Sequence, residues 1–388
     1  MNHTVLDNLW QLNAFEWVLL GAFLLVYLAR IYYLLFFVLR VFLKPRHAAV
    51  ANEVSAQPLS VLLTVRNEEE NLQRLLPRLL SINSVNYEVV VVDDYSLDNT
   101  YSVLGNYKTK YNNLRISALN EETRFSVKMA QNIALKAAKN DWVLLCPVQG
   151  QEPSNDWLRG FSFNTTVRNR NLLLGYTGLT EKPGFYNRLC RLEMFMQQIK
   201  SAGFIQNGIP LVYFEDNVAF KKQCYFDLGG FGVQTKEVYA NLELIINRFI
   251  RKKQTAVLFN EQIRLTKEQD TNRDDYHNLL RRCLKIESYL PAWKRIALAV
   301  ESFTSLIYLP LLIAALVCFF SFWPIVAALA VLKIVLYLII MKIAQNRLNE
   351  RKIFIPSLVY GLIMPYFKMV YRWHFKRQCR NYKWKTKV

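Results

Sequence analysis

The chain of 388 residues is long enough for one folded domain with a full core and additional apolar segments, and 52% of its residues are hydrophobic. Its formal net charge is +19. No zinc-finger, helix-turn-helix or RNA-recognition pattern accompanies this charge, which argues against nucleic-acid binding. The basic residues concentrate beside the apolar segments, where they favour an anionic membrane surface. The six cysteines are scattered singly, so the sequence predicts free cytosolic thiols rather than a disulfide framework.

The first apolar segment, residues 17–39, is interrupted only by Arg30 and is long enough to cross about 30 Å of hydrocarbon. No basic residue precedes it and no small-residue cleavage site follows it, so we interpret it as a retained anchor rather than a signal peptide. Lys44 and Arg46 follow the segment, which predicts that the next part of the chain is cytoplasmic.

Residues 58–100 contain two strand-like apolar runs with a helical pattern between them. The runs are Leu59 to Val65, followed by Arg66-Asn67-Glu68-Glu69, and Val89 to Val92, followed by Asp93-Asp94-Tyr95-Ser96. Continuous β-branched runs that alternate with amphipathic helices predict a parallel sheet covered on both faces. Ligands of such sheets bind beyond the carboxyl ends of the strands, where paired Asp side chains can accept hydrogen bonds from a base or ribose. This segment therefore predicts a nucleotide site.

Four segments in order carry a resemblance to a known family. They are Pro58 to Thr100, Ser126 to Ala134, Asn217 to Lys222, and Gly229-Gly230-Phe231. Together they resemble the inverting glycosyltransferases of family 2, over roughly residues 58–290. The resemblance implies an α/β domain of the GT-A fold, with a mixed, mostly parallel sheet and helices on both faces, joined here to transmembrane helices. It also implies a nucleotide-diphosphate sugar as donor.

The resemblance places the nucleotide at the strand ends and beside the following helix. Its nucleotide-binding candidates are Arg66, Glu68, Asp93, Asp94, Lys128 and Gln149. A single helical lysine such as Lys128 is, however, also typical of a solvated position.

The family's metal-binding acids are replaced in this chain. The resemblance implies Mg²⁺ or Mn²⁺, held by an Asp-x-Asp across the leaving diphosphate. Here the strand Trp142 to Cys146 is followed by Pro147-Val148-Gln149-Gly150-Gln151, with no carboxylate before Glu152. A neutral Gln149 oxygen is a poor ligand for a hard cation, and the four histidines form no metal-spaced cluster. We therefore expect no metal site of the usual kind.

The family's base and acceptor motifs are also altered. Ala240 and Asn241 stand where the family places two acids, and Asn cannot accept a proton at neutral pH. The catalytic residue is therefore unknown at this stage, with Asp216, Glu237, Glu243 and Asn241 as candidates. For Glu237 and Glu243 a solvated helix face is the alternative role. The acceptor and diphosphate side is assigned Asn217, Arg281 and Arg282, although the two arginines also suit a basic juxtamembrane helix.

The C-terminal part is largely apolar. Residues 302–332 contain no charged side chain, and the run continues to Met341 with only Lys333. Because this is too long for one span, the break at Ser321-Phe322-Trp323-Pro324 predicts two helices. The last apolar segment, residues 353–371, precedes a basic tail without acids. The positive-inside rule favours an interfacial or re-entrant helix there, and a fourth crossing stays open.

These patterns predict four regions along the chain. They are a transmembrane anchor at 1–46, a cytoplasmic GT-A-like domain at 47–298, a transmembrane hairpin at 299–343, and an interfacial or re-entrant helix with a basic cytoplasmic tail at 344–388. The expected location is the inner (cytoplasmic) membrane. The expected partners are membrane lipid, a nucleotide sugar and a lipid-linked saccharide or polysaccharide acceptor, with a partner membrane protein left open and nucleic acid excluded.

Two hypotheses of function follow. The first is a membrane-bound family 2 glycosyltransferase that moves a sugar from a nucleotide-diphosphate donor to a membrane-associated acceptor. The second is a catalytically degenerate relative that binds a nucleotide, a lipid or a partner protein, because the metal, base and acceptor motifs are all altered. A transporter is disfavoured, since Arg30 and Lys333 are the only midspan charges.

Overall fold

The computed structural model of the chain describes residues 13–43, 57–122, 126–151, 153–167, 169–319 and 323–385, with backbone only for 126, 233 and 376–385. Several residues used in the sequence predictions lie outside the described residues or side chains: Lys44, Arg46, Glu152, Ser321, Phe322 and the basic tail from Lys376 onward. The described chain divides into two compact units. One comprises Val41–Leu290 with Arg347–Glu350, and the other comprises Met1–Arg40, Pro291–Asn346 and Arg351–Val388.

The first unit is built on a seven-stranded sheet with the order β3-β2-β1-β4-β7-β5-β8. The strands are β1 Leu59–Val65, β2 Tyr87–Asp93, β3 Leu114–Ala118, β4 Trp142–Leu145, β5 Leu172–Gly175, β6 Thr177–Leu179, β7 Val218–Lys221, β8 Thr255–Leu258 and β9 Leu265–Lys267. Only the pairs that β7 makes with β4 and β5 are antiparallel, and β6 and β9 form a separate two-stranded sheet. The predicted mixed, mostly parallel sheet is confirmed.

The helices alternate with the strands as the apolar periodicity predicts. In chain order they are α1 Ala14–Tyr32, α2 Arg40–Leu43, α3 Glu69–Leu80, α4 Thr100–Lys108, α5 Ser126–Ala137, α6 Asn155–Thr165, α7 Phe185–Gln206, α8 Gln223–Phe226, α9 Glu243–Phe249, α10 Arg273–Tyr289, α11 Ala292–Cys318, α12 Trp323–Arg347 and α13 Phe354–Lys385. Tyr33–Leu39 is π-helical and Gly232–Lys236 is a 3₁₀ helix.

Burial explains why the central strands read as unbroken apolar runs. All seven residues of β2 are buried, and β1 has a single half-buried position. Helix α3 buries a leucine face at Leu72, Leu75, Leu76 and Leu79 against the same core. Parallel strands buried on both faces do not alternate apolar and polar residues. The register pairs Val65 with Asp93, so the polar residues after β1 and β2 lie side by side.

A short segment near the C-terminus is part of this sheet-containing unit. Glu350 is buried, and its carboxylate accepts hydrogen bonds from Arg191 Nη2 and the Tyr176 hydroxyl, each at 2.9 Å. Arg264 Nη2 lies 3.6 Å from the same carboxylate. Removing one partner of such a buried pair leaves an uncompensated charge, so the cluster fixes the segment Arg347–Glu350 on the unit.

The second unit is made of long apolar helices. Among the described residues, four helical segments have the length and composition to cross a membrane: Ala14–Leu43, Ala292–Cys318, Trp323–Arg347 and Phe354–Phe375. Phe23 and Tyr27 pack with Tyr308 in one apolar cluster. Arg30 Nη1 lies 3.5 Å from Glu301 Oε1, so a midspan arginine has a counter-charge within the same unit. Whether the last of the four crosses or lies in the interface stays a prediction.

Candidate functional site

The loops after β1 and β2 are joined to each other by side-chain hydrogen bonds. The Asn67 amide N–H donates to Ser96 Oγ at 2.9 Å, and the Leu97 amide N–H donates to Asn67 Oδ1 at 2.8 Å. Asn67 and Tyr95 both adopt positive φ, 54° and 57°, a conformation that asparagine tolerates well and most other residues do not. The register of β1 and β2 and these bonds together hold the strand-end residues in one place.

Both predicted aspartates are buried at this edge. Asp93 is 4% exposed and Asp94 is 2% exposed. Asp93 Oδ1 accepts hydrogen bonds from the amide and the hydroxyl of Ser96, so its carboxylate supports the turn after β2. The nucleotide-binding role of the pair stays a prediction. Arg66, the residue after β1, is ion-paired with Glu122 at 2.5 Å.

A side-chain hydrogen bond joins the loop after β4 to the loop after β1. Gln149 Nε2 donates to Glu68 Oε1 at 2.7 Å, and Glu68 Oε2 accepts from Asn71 Nδ2. Where the family holds a cation with carboxylates, the Gln149 side chain thus presents its amide donor to the nearest acid. Among the described residues, no group of three or more His, Cys, Asp or Glu side chains can hold a metal ion. The described residues at this position therefore provide no carboxylate where the family's Asp-x-Asp would stand.

Lys128 is buried rather than solvated. It is 5% exposed, and its ammonium donates to the carbonyl oxygen of Glu237. Burial lowers the pKa of Lys128, and the charge of Glu237 only partly opposes this effect. The solvated alternative is wrong because helix α5 faces the segment that contains Glu237. Lys128 therefore connects helix α5 to the segment that contains Glu237.

The predicted acceptor side contains a buried cluster of opposite charges. Glu243 is fully buried and accepts a hydrogen bond from Arg282 Nε at 2.7 Å, while Arg282 Nη2 lies 3.4 Å from Glu215 Oε1. Burial and the neighbouring Glu243 raise the pKa of Glu215 to about 8. Burial alone would lower the pKa of Arg282, but the charges of Glu243 and Glu215 raise this pKa above its ordinary value. The solvated alternative for Glu243 is wrong, because helix α10 places Arg282 over it.

Beside this cluster lies an ion pair on the wall of a cavity. Lys267 Nζ is 2.7 Å from Asp216 Oδ2, and both side chains are largely buried. Burial alone would raise the pKa of Asp216, but Lys267 and Arg282 lower it below its ordinary value. The cavity measures about 410 Å³ and is also lined by Arg282, Tyr239, Asn278 and Gln269. Its size lies within the range of small-molecule sites.

Lys267 was not found by the sequence analysis. It ends the three-residue strand β9, and its backbone bridges to Gly150, inside the segment that replaces the Asp-x-Asp. Glu268 N–H donates to the carbonyl of Gln149 at 2.7 Å, which keeps the two segments together. Its ion-pair partner Asp216 is 51 residues away in the sequence, so no local pattern marks Lys267 as a site residue.

The other candidates have different positions. Asn217 is fully buried: Trp157 Nε1 donates to its Oδ1, and its Nδ2 donates to the carbonyls of Tyr176 and Ile263, each at 2.8 Å. Its amide is therefore used inside the fold, which corrects its assignment to the acceptor side.

Three further candidates lie around the cluster. The Glu237 carboxylate contacts Lys285 Nζ at 3.3 Å and the Tyr289 hydroxyl at 3.2 Å, so it is not on a solvated helix face. Asn241 lies before helix α9, where its carbonyl accepts from the Leu244 amide. The Arg281 guanidinium lies over the Tyr239 ring at 5.7 Å, and Tyr239 lines the cavity.

Comparison with known proteins gives a family for part of the chain. Residues 60–146 match the family model described as glycosyl transferase family 2. No curated protein sequence matches the chain.

Solved structures are similar to between 59% and 90% of this chain. The mannosyltransferase PcManGT of Pyrobaculum calidifontis, in complex with GDP-Man and Mn²⁺, is 18% identical over 90% of this chain and 98% of that one, with a TM-score of 0.52. The S. aureus TarS 1–349 structure is 17% identical over 59% of this chain and 65% of that one, with a TM-score of 0.39. The structure of S. aureus TarS 1–349 in complex with UDP-GlcNAc is 16% identical over 67% of this chain and 72% of that one, with a TM-score of 0.43. The motif resemblance is thus confirmed: residues 60–146 carry a glycosyltransferase family 2 sequence, in a domain of the GT-A fold.

Proposed function

We propose that the protein is a membrane-bound family 2 glycosyltransferase that transfers a sugar from a nucleotide-diphosphate donor to a membrane-associated acceptor, a lipid-linked saccharide or a polysaccharide. The family sequence of residues 60–146 and the GT-A fold support the donor class. The apolar helices support an acceptor at the membrane. A cytoplasmic domain at the inner membrane, as the sequence predicts, is part of the same proposal.

The observation that carries the proposal is the position of Asp216. Its carboxylate lies on the wall of the 410 Å³ cavity, and its lowered pKa keeps it ionised at neutral pH. An ionised carboxylate can accept the proton of a hydroxyl group. We assign Asp216 as the general base in place of the missing acids at Ala240 and Asn241.

The proposed reaction is a displacement at the anomeric carbon of the donor sugar. An acceptor hydroxyl oxygen forms a bond to the anomeric carbon while the bond from that carbon to the diphosphate oxygen breaks. The hydroxyl proton passes to Asp216, and the nucleoside diphosphate leaves with the bonding electron pair. Configuration at the anomeric carbon inverts, as the family resemblance implies.

Lys267 supplies positive charge at the leaving group. Before the reaction its ammonium is paired with Asp216 at 2.7 Å. When Asp216 takes up a proton, this pairing weakens, so the lysine charge, which also attracts the bound diphosphate, acts more strongly on the departing group. Because the described residues at Gln149 provide no carboxylate where the family's Asp-x-Asp would stand, we assign this electrostatic role to Lys267, which its backbone bridge holds beside Gly150.

The test is turnover by the full-length protein in detergent, with UDP- and GDP-sugars and a membrane lipid extract. We expect nucleoside diphosphate release from at least one donor, and a loss of roughly 10²–10⁴-fold in Asp216→Asn. The matched control is Asp270→Asn, whose side chain is 93% exposed, and its turnover should equal that of the wild type.

The outcome separates the two hypotheses. Nucleotide binding without turnover across the donor panel would support the alternative, a catalytically degenerate protein that binds a nucleotide, a lipid or a partner. Turnover that survives Asp216→Asn unchanged would remove Asp216 as the base.

A further inference from the structure

A second cavity lies along the edge strand β8, apart from the proposed transfer site. It measures about 360 Å³, and four basic residues line it: Arg170, Lys252, Lys253 and Arg347. None of the described lining residues is acidic. A partly enclosed space with several positive side chains and no negative one attracts an anion, because enclosure weakens the screening of the charges by water.

Arg170 is held toward this cavity by a fixed hydrogen bond. Its Nη1 donates to Asn164 Oδ1 at 2.9 Å, and Asn164 also lines the cavity. Burial lowers the pKa of Arg170, with no carboxylate acting on it. This guanidinium is partly desolvated and has no acid beside it in the described part of the chain, so a bound anion would stabilise its charge. It can bind such an anion through two N–H groups.

The two lysines come from the turn before β8. Lys253 adopts a positive φ of 70°, which lets the chain turn between Arg251 and Gln254. Lys252 lies against Gly208, where an added Cβ would meet Lys252 Cε at 2.7 Å. A glycine at position 208 thus allows the aliphatic part of Lys252 to lie close to the backbone. Both lysine side chains are exposed and reach the cavity without an ion-pair partner among the described residues.

The cavity is close to apolar segments along the chain. Val41, on its wall, belongs to the candidate span Ala14–Leu43, and Arg347 is the last residue of the candidate span Trp323–Arg347. The guanidinium of Arg347 donates to the carbonyl of Phe42, so the ends of the two segments meet at this wall. Ile205 and Phe259 add apolar surface. A site of this composition suits a charged group attached to a hydrocarbon chain.

We propose that this cavity binds the phosphate group of an anionic membrane lipid. The four positive charges select for phosphate, and the adjacent candidate spans determine that the phosphate comes from a lipid headgroup rather than from solution. The site is independent of the proposed transfer reaction, because none of its residues lines the cavity of Asp216 and Lys267.

The experiment compares lipid binding by the full-length, delipidated protein in detergent. The probes are phosphatidylglycerol and phosphatidylcholine with the same acyl chains, followed by native mass spectrometry. The test variant is R170Q/K252Q/K253Q. The control variant is R78Q/K110Q/K136Q, which removes the same charge from exposed positions outside the cavity. Thermal unfolding midpoints equal to the wild type show that each variant is folded.

We expect tight binding of one phosphatidylglycerol, and a roughly fivefold loss of affinity per charge removed in the test variant, since each basic residue near an anionic surface contributes about 1 kcal/mol. The control variant should retain the wild-type affinity. Equal losses in both variants, or no preference over phosphatidylcholine, would overturn the site. Displacement of the lipid by inorganic phosphate at equal concentration would overturn the lipid assignment.

Discussion

The strand-end region and the acceptor-side cluster differ in how their polar groups are satisfied. At the strand ends, Asp93 and Glu68 contact residues a few positions away, such as Ser96 and Asn71. On the acceptor side, Glu243 meets Arg282, which is 39 residues distant, and Asp216 meets Lys267. The first region therefore combines local turns with hydrogen bonds between loops, such as the one from Asn67 to Ser96, whereas the second is held by ion pairs between separate segments.

The two regions also differ in how many charged side chains they bring together. The strand ends carry the predicted nucleotide-binding residues but lack the Asp-x-Asp, and Gln149 is bonded to Glu68. The acceptor-side cluster concentrates three acids and two basic residues: Glu215, Asp216, Glu243, Lys267 and Arg282. Each change below tests whether chemistry depends on the second region and loop structure on the first.

The largest effect is expected from Arg282→Met. Glu243 is fully buried, and removal of its partner leaves an uncompensated charge, at a cost of about 3–5 kcal/mol in the free energy of unfolding. Chemical unfolding of the full-length protein in detergent measures it. The neighbouring Arg281→Met serves as the control, with a loss below about 1 kcal/mol. Similar losses at both positions would contradict the buried cluster.

The pH dependence of stability tests Glu215. Burial and Glu243 raise its folded-state pKa to about 8, above the ordinary 4.5. Between these values the folded state keeps a proton that the unfolded state has released. The free energy of unfolding should therefore fall as pH rises from about 5 to 8, by at most about 1.4 kcal/mol per pH unit. Because the pKa of Asp216 is lowered, the titration of Asp216 changes the free energy of unfolding only at lower pH.

Glu215→Gln isolates this contribution. Unfolding free energies at several pH values between 5 and 8 should show a flatter slope in the variant than in the wild type. Parallel slopes in the two proteins would mean that Glu215 titrates in its ordinary range.

Gln149→Asp tests whether the Gln149 position can be returned to a metal site. The change replaces a hydrogen bond to Glu68 with a second carboxylate, so we expect a loss of about 1–2 kcal/mol in the absence of metal. Mn²⁺ should then raise the unfolding midpoint of the variant and leave that of the wild type unchanged. The same rise in both proteins would show that the wild type already binds the ion.

The smallest effect is expected at the turn after β2. Asp93→Ala removes the acceptor of the Ser96 bonds and should cost about 1 kcal/mol of stability. Ser96→Ala should cost a similar amount. A double-mutant cycle then gives a coupling energy close to the single losses, whereas fully additive losses would show that the two side chains act separately.

Much of the fold could be predicted from the sequence, because β1 and β2 are buried on both faces and so appear as unbroken apolar runs. The burial of Lys128 and Glu243 could not be predicted. Lys128 contacts the carbonyl of Glu237, 109 residues away, and a helical position gives no sign of such a partner. Lys267 was missed for the same reason. Asn217 was found by its motif, but its amide bonds lie inside the fold.

The central claim is that Lys267, rather than a divalent ion, provides the positive charge for the diphosphate. Calorimetry of UDP and GDP binding to the full-length protein tests it, with EDTA or Mn²⁺, for the wild type and Lys267→Met. We predict that at least one nucleotide binds the wild type equally well in both conditions, and that Lys267→Met lowers that affinity roughly tenfold. Binding that requires Mn²⁺ and is unaffected by Lys267→Met would contradict the claim.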